Sequence, residues 1–221
     1  MPAYLQPPEQ MPPDVARIYG YLAGEILRTR TKWTYFRQLF MDSSARTGYL
    51  GGAGANFFRE VQNILIYDLI LSVARLTDPA EQGKNSNLTL LQLVAVTKRT
   101  ADPTFSEELR SEYLGVESTV ASLRAFRMKK VAHFDLPTIV SPETQVTPGL
   151  LIRDIRVSVE SIESFLGKVH THFSGATFLW EEISRQADAD ALLAQICKAR
   201  VYDDLVKQGT IPRDLWRGKW G

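Results

Sequence analysis

The segment NFFREVQNILIYDLILSVARL, residues 56–76, decides the fold class of this chain. Its apolar side chains recur at steps of three and four residues, which is the repeat of an α-helix. They cover most of the helix circumference, and such a helix lies at the centre of a bundle or at a subunit interface. Asp68, Ser72 and Arg75 interrupt the apolar surface at i, i+4 and i+7 and form one narrow polar seam.

Helical periodicity continues on both sides of this segment. An apolar stripe from Val15 to Phe40 predicts a long first helix, and residues 88–96 predict a short one. A capping box beginning at Thr104 predicts the start of another helix, and Thr147-Pro148 predict the start of the next. No segment alternates apolar and polar residues as a half-buried strand does. We therefore expect an all-α protein, an up-and-down helical bundle with extra C-terminal helices.

The organisation along the chain indicates a single helical domain over residues 1–221. Residues 1–12 are rich in proline and predict a flexible N-terminus, and residues 209–221 predict a C-terminal tail. The glycine-rich stretch Gly48–Gly54 lacks the Lys-Ser/Thr pair of a phosphate-binding loop, and no strand precedes it. We interpret this stretch as a mobile loop between the first two helices.

Composition limits the classes of function. The chain is 44% hydrophobic and 23% charged, and its single cysteine, Cys197, excludes an intramolecular disulfide framework. With no secretory leader and no apolar run long enough for a bilayer, we expect a cytoplasmic protein outside the membrane. A net charge of +1 argues against a protein that wraps nucleic acid non-specifically. Residues 118–134, however, contain no acidic residue, and such a local basic patch can attract a polyanion.

Within this basic stretch, Arg127 and His133 form an Arg-x5-His pattern. In a chain with three histidines, a pairing of this kind arises by chance about once, so the surrounding residues carry the interpretation. Arg127 lies on the inward stripe of its helix, and we expect it to have a partner or to line a cleft, because burying an unpaired charge is unfavourable. Six residues of α-helix turn through roughly 600°, so a tight pair with His133 needs a bend at the helix end or a second subunit.

Three segments carry a family resemblance. They are YDLILSVARLTD (residues 67–78), NLTLL (87–91) and LRAFRMKKVAHFD (123–135). An Arg-Leu-x-Asp turn after a buried helix, a short Leu-x-x-Leu helix and an Arg-x5-His ending in Ala-His-x-Asp occur in that order. The set, which spans about residues 56–135, resembles the HEPN domain of the abortive-infection U family.

The resemblance implies a metal-independent endoribonuclease without a cofactor, of the toxin–antitoxin or phage-defence kind. It implies a homodimer with a shared active site, RNA as the substrate and an antitoxin protein as a further partner. His133 would be the general base or acid for attack of the ribose 2′-hydroxyl on phosphorus. Arg127 would hold the scissile phosphate, and no residue would bind a metal.

The remaining candidate residues have supporting roles. Arg124, Lys129 and Lys130 would bind flanking phosphates. Asp68, Arg75 and Asp78 either position the site, or are a buried ion pair and a turn residue. Family members commonly have a small polar residue after the motif arginine, whereas this chain has Met128. That departure favours the alternative function, a catalytically inactive HEPN dimer that binds RNA, nucleotide or a partner protein.

Overall fold

The computed structural model describes residues 6–132, 148–178, 180 and 189–212, with the backbone alone at residues 130–132 and 148–150. Six α-helices make up most of this described part. They are α1 (Pro13–Phe40), α2 (Ser44–Leu76), α3 (Leu90–Thr100), α4 (Pro103–Phe126), α5 (Pro148–Ser174) and α6 (Ala189–Lys207). A π-helical segment, Arg127–Ala132, continues α4. The predicted all-α class is confirmed.

The start of α1 and both ends of α5 carry residues that suit these positions. The first residue of α1 is Pro13 and that of α5 is Pro148, which suits proline because the first helical N–H has no intrahelical partner. Asp14 places its negative charge in the first turn of α1, beside the positive end of the helix dipole. Helix α5 ends at Ser174, and Gly175 follows with a φ of 67°, a left-handed conformation that favours glycine.

The start of α4 differs from the prediction. The sequence indicated a capping box at Thr104, whereas Asp102 is the N-cap and its carboxylate accepts a hydrogen bond from the Phe105 N–H at 2.9 Å. Pro103 occupies the first helical position. An aspartate cap followed by proline satisfies the unpaired N–H groups of the first helical turn. This cap lies two residues before Thr104, so the helix begins earlier than predicted.

A small hairpin joins α2 to α3, and the sequence did not predict it. Strand β1 (Glu81–Gln82) pairs with β2 (Asn85–Ser86) in antiparallel register, Glu81 opposite Ser86. Gly83 lies in the connecting turn with a φ of 63°, as two-residue hairpin turns require. Each strand has two residues, which is too short to show the alternation of apolar and polar residues that identifies a strand in a sequence.

The interpretation of Gly48–Gly54 as a mobile loop is wrong. Helix α2 begins at Ser44 and includes this stretch, with one non-helical residue, Gly54, at φ 170° and ψ 74°. The reason is tertiary, because Leu50 is buried with Leu39 and Leu193 in an apolar cluster. Burying a leucine side chain contributes about 1.5–3 kcal/mol, which offsets the low helix propensity of the neighbouring glycines.

A substitution tests this correction. Replacing Gly52, which is exposed and has open space around its Cβ position, by alanine should raise the free energy of unfolding by about 0.5–1 kcal/mol, because alanine has the higher helix propensity. Urea unfolding followed by circular dichroism measures the change. Gly83→Ala is the control and should destabilise the protein, since its φ is positive. An unchanged stability for Gly52→Ala would indicate that this segment is not helical in solution.

The chain divides into two compact units. Unit 1 comprises Met1–Trp33 and Ile64–Arg185, and unit 2 comprises Thr34–Asn63 and Gln186–Gly221. The core of unit 1 contains many fully buried large side chains, among them Tyr19, Leu22, Ile26, Leu69, Ile70, Leu90, Leu93, Leu109, Leu123 and Phe165. Unit 2 is organised around the cluster of Leu39, Leu50, Ala189 and Leu193.

In unit 1, α4 and α5 run antiparallel and are joined along their length. The Ser158 hydroxyl donates to the Thr119 carbonyl at 3.2 Å, and the Ser122 hydroxyl donates to the Asp154 carboxylate at 2.6 Å. Glu112 and Lys168 form a further ion pair between the two helices. Because α4 is fixed along its length, its last turn has a defined position, and Arg127 follows directly from it.

Candidate active site

Arg127 and Asp78, which come from two separate sequence motifs, form an ion pair in unit 1. The Arg127 Nη1 donates to the Asp78 Oδ2 at 2.8 Å, and the two side chains are 18% and 20% exposed. The expectation that Arg127 has a partner is therefore confirmed. The pair is neither fully buried nor freely solvated, and a guanidinium carries five N–H donors. The same group can therefore hold the carboxylate and bind a phosphate oxygen.

Asp78 is placed by the end of α2. The helix ends at Leu76, Thr77 is fully buried, and the Asp78 N–H donates to the Arg75 carbonyl at 3.4 Å. Pro79 then prevents the helix from continuing. A carboxylate at the negative end of a helix dipole is unfavourable, and the guanidinium of Arg127 offsets that charge.

Arg127 is placed by the end of α4. Phe126 is 8% exposed and its ring stacks on Tyr67 of α2, with 6.3 Å between ring centroids. The backbone then changes from α-helix to π-helix over Arg127–Ala132. In a π-helix, hydrogen bonds join residues i and i+5, so each residue turns through a smaller angle than in an α-helix. The helix over Arg127–Ala132 is therefore wider than the α-helix that the sequence indicated.

The other basic candidates differ in their surroundings. Arg124 is 29% exposed and lies 3.6 Å from Glu117, and Lys129 is exposed. Met128, the residue that departs from the family pattern, is 49% exposed. The side chain of Lys130 and all of His133 lie outside the described residues, so their predicted roles stay predictions.

Asp68 and Arg75 belong to two separate ion pairs. The Lys32 Nζ lies 2.5 Å from the Asp68 Oδ2 and 3.5 Å from the Ser72 Oγ. The Arg75 Nη2 lies 4.0 Å from the Glu25 Oε2. The alternative of a buried ion pair between Asp68 and Arg75 is therefore wrong, because their side chains are 43% and 64% exposed and each pairs with α1.

Sequence reasoning missed the two partners on α1, although a signal for them existed. Glu25 and Lys32 are seven residues apart, and so are Asp68 and Arg75. Both helices carry the acidic residue first and the basic residue second, so antiparallel packing brings Glu25 to Arg75 and Lys32 to Asp68. A seven-residue spacing keeps both members on one face of each helix.

Two absences apply within the part of the chain that the structure describes. No three histidine, cysteine, aspartate or glutamate side chains are grouped closely enough to hold a metal ion. No helix among those described residues has the length and the apolar character that crossing a membrane requires.

A cavity of about 670 Å³ in unit 1 contains none of the predicted site residues. Its lining includes the aromatic side chains of Phe105 and Trp180 and the carboxylates of Glu108, Glu160 and Glu163. The lining also includes Lys168, and Glu163 is paired with Arg30, but the carboxylates still outnumber the lysine, which disfavours a phosphodiester. We therefore take the Arg127–Asp78 pair, and not this cavity, as the candidate active site.

Comparison with known proteins identifies the family. The model of the AbiU2 family, a HEPN domain of the abortive-infection U type, matches residues 12–192. No curated protein and no solved structure matches the chain. The family match covers both members of the Arg127–Asp78 pair and most of the six helices. HEPN domains are often ribonucleases or proteins of defence systems. This chain belongs to the AbiU2 family of HEPN domains.

Proposed function

We propose that this protein is a metal-independent endoribonuclease of the toxin or phage-defence kind. Two copies of the chain would form a homodimer in which the Arg127 and His133 side chains share one active site. Its substrate would be RNA in the cytoplasm, and an antitoxin protein would be a further partner. The observation that carries the proposal is the Arg127–Asp78 ion pair, which holds the motif guanidinium at the start of the turn leading to His133.

The proposed reaction is an attack of the ribose 2′-oxygen on the adjacent phosphorus. Neutral His133 takes the proton of the 2′-hydroxyl, the new O–P bond forms, and the bond from phosphorus to the 5′-oxygen breaks. An imidazolium returns a proton to the leaving 5′-oxygen. The products are a 2′,3′-cyclic phosphate and a 5′-hydroxyl. An imidazole with an ordinary pKa near 6.5 supports both proton transfers at neutral pH.

Arg127 would stabilise the charge that grows on the phosphate oxygens. A guanidinium binds phosphate through two parallel N–H···O bonds, and the effect is largest when the group is already oriented. Asp78 supplies that orientation through its 2.8 Å bond to Nη1. Arg124, Lys129 and Lys130 would bind phosphates on either side of the cleaved bond.

Incubation of the pure protein with RNA in the presence of EDTA tests the proposal. We expect cleavage that EDTA does not inhibit and that leaves 2′,3′-cyclic phosphate ends. Such ends cannot be ligated through a 3′-hydroxyl until the cyclic ester is opened and a phosphatase removes the remaining phosphate. An oligonucleotide with 2′-deoxyribose at each position should not be cut, because it lacks the attacking hydroxyl. Cleavage that requires added metal, or cleavage of the deoxy substrate, would rule out this mechanism.

Asp78 is proposed as a positioning residue, and its substitution gives a graded result. We expect Asp78→Asn to lower kcat by about 10- to 100-fold, because a misplaced catalytic group loses most of its effect. KM should change little, since the phosphate-binding residues remain. Asp78→Glu should restore part of kcat by restoring the charge.

Asp68→Asn is the matched control for the Asp78 substitution. This change removes a carboxylate that likewise pairs with a basic side chain, Lys32 of α1, and that is 43% exposed, against 20% for Asp78. It should leave kcat unchanged. Equal losses from Asp68→Asn and Asp78→Asn would indicate a general effect on the fold and would remove the positioning role.

The second candidate function is a HEPN dimer that binds RNA, nucleotide or a partner protein without cleaving RNA. The observation that favours it is Met128, an exposed thioether in the position where family members commonly have a small polar side chain. RNA binding without cleavage, unaffected by His133→Ala, selects this function. Failure of both binding and cleavage leaves a protein partner as the target.

A further inference from the structure

An exposed face of α1 in unit 1 combines an aromatic ring with basic groups. Tyr21 is 63% exposed, and the Arg28 side chain is 63% exposed. Tyr21, Glu25 and Arg28 are spaced at i, i+4 and i+7, which places all three side chains on the same face of the helix. The candidate reaction uses none of these residues, and a tyrosine ring exposed to this extent offers a flat surface for a ligand.

The charge of this face is positive. The Glu25 carboxylate lies 2.5 Å from the Arg28 guanidinium and 4.0 Å from the Arg75 guanidinium, so two positive groups share one negative group. Both arginine side chains are more than 60% exposed. Exposed ion pairs of this kind are weak, so a phosphate can compete with the carboxylate for either guanidinium.

One end of the face lies near the candidate active site. Arg75 lies in the last turn of α2, and its carbonyl accepts a hydrogen bond from the Asp78 N–H at 3.4 Å. Asp78 in turn pairs with Arg127 at 2.8 Å. The backbone of Arg75 therefore lies beside the residue that pairs with Arg127, so one basic residue of the face is close to the candidate active site.

We infer that Tyr21, Arg28 and Arg75 form a subsite for single-stranded RNA, and this inference rests on the proposed function. The Tyr21 ring stacks on a base, and the two guanidinium groups bind neighbouring phosphates. Tyr21 and Arg28 are about 10 Å apart along the helix axis, which matches about three nucleotides of a stacked strand. A duplex keeps its bases paired and stacked, so the subsite selects an unpaired stretch of RNA.

The test measures affinity for a short, fully 2′-O-methylated RNA strand, which binds but has no 2′-hydroxyl to react. We expect Tyr21→Ala to weaken binding by about 5- to 100-fold, the loss typical of one base–aromatic stack. Tyr21→Phe should retain wild-type affinity, because the ring remains. Arg28→Ala should weaken binding and lower the slope of log affinity against log salt by about 0.7.

Two exposed residues elsewhere on unit 1 provide matched controls. Leu114 is a 52% exposed apolar side chain, and Arg153 is 66% exposed beside Asp154. Leu114→Ala and Arg153→Ala should leave the affinity unchanged. Tyr21 is too exposed for its replacement to unfold the protein, and circular dichroism verifies this.

The outcomes separate the subsite from the proposed function. Wild-type binding by Tyr21→Ala, in a protein that still cleaves RNA, overturns the subsite and leaves the nuclease intact. A change in oligomeric state with unchanged RNA affinity also overturns it, because the face is then a protein interface. If the wild-type protein neither binds nor cleaves RNA, both proposals fail. A selective loss of single-strand binding, rescued by Tyr21→Phe, supports the subsite.

Discussion

Replacing His133 by alanine should lower the rate of RNA cleavage by about 10²–10⁴-fold, the contribution typical of a general acid–base group. Loss of the imidazole removes the group that takes the proton from the 2′-hydroxyl at neutral pH. Binding of RNA should be nearly unchanged, because the phosphates are held by arginine and lysine. The loss of activity should therefore appear as a lower kcat. Single-turnover cleavage with EDTA present measures it.

The control for this substitution is His172→Ala. The His172 ring stacks on Phe105 with 3.6 Å between ring centroids, beside the acidic cavity and apart from the Arg127–Asp78 pair. Its removal should leave the cleavage rate unchanged. If cleavage survives His133→Ala, or if both histidine variants lose activity equally, His133 is not the proton-transfer group.

Replacing Arg127 by alanine should lower the cleavage rate by about 10²–10³-fold, as loss of one oriented donor to a developing oxyanion does. This change also leaves the Asp78 carboxylate without its guanidinium, which destabilises the fold by about 1–3 kcal/mol. Arg127→Lys separates the two effects. The lysine ammonium retains the positive charge beside Asp78 but cannot form the bidentate hydrogen bonds to phosphate that a guanidinium forms. We expect the lysine variant to be nearly as stable as the wild type but still slow.

Arg153→Ala is the matched control for the Arg127 substitution, since it removes an exposed guanidinium that lies beside a neighbouring carboxylate. A heterodimer of the Arg127→Ala and His133→Ala chains adds a test of the shared site. If two copies complete one site, this heterodimer should be more active than either variant homodimer. A fully active Arg127→Lys enzyme, or a heterodimer no better than its parents, would contradict these roles.

The amino-acid sequence alone determined the helical class and the position of most helices. The stripe from Val15 to Phe40 predicted α1, and Thr147-Pro148 predicted the start of α5. The sequence also indicated that Arg127 would have a partner or line a cleft, because its charge lies in an apolar stripe. These features are local, since helical periodicity and capping depend on residues within a few positions of each other.

The tertiary structure decided the remaining features. Burial of Leu50 makes the glycine-rich stretch helical. Packing of α2 against α4 brings Asp78 into contact with Arg127, 49 positions later in the sequence. Packing of α1 against α2 likewise brings Lys32 into an ion pair with Asp68. No local pattern encodes such pairs, because each depends on the position and rotation of two packed helices. The chemistry of the candidate site therefore depends on the packing, whereas its residue types were already present in the sequence.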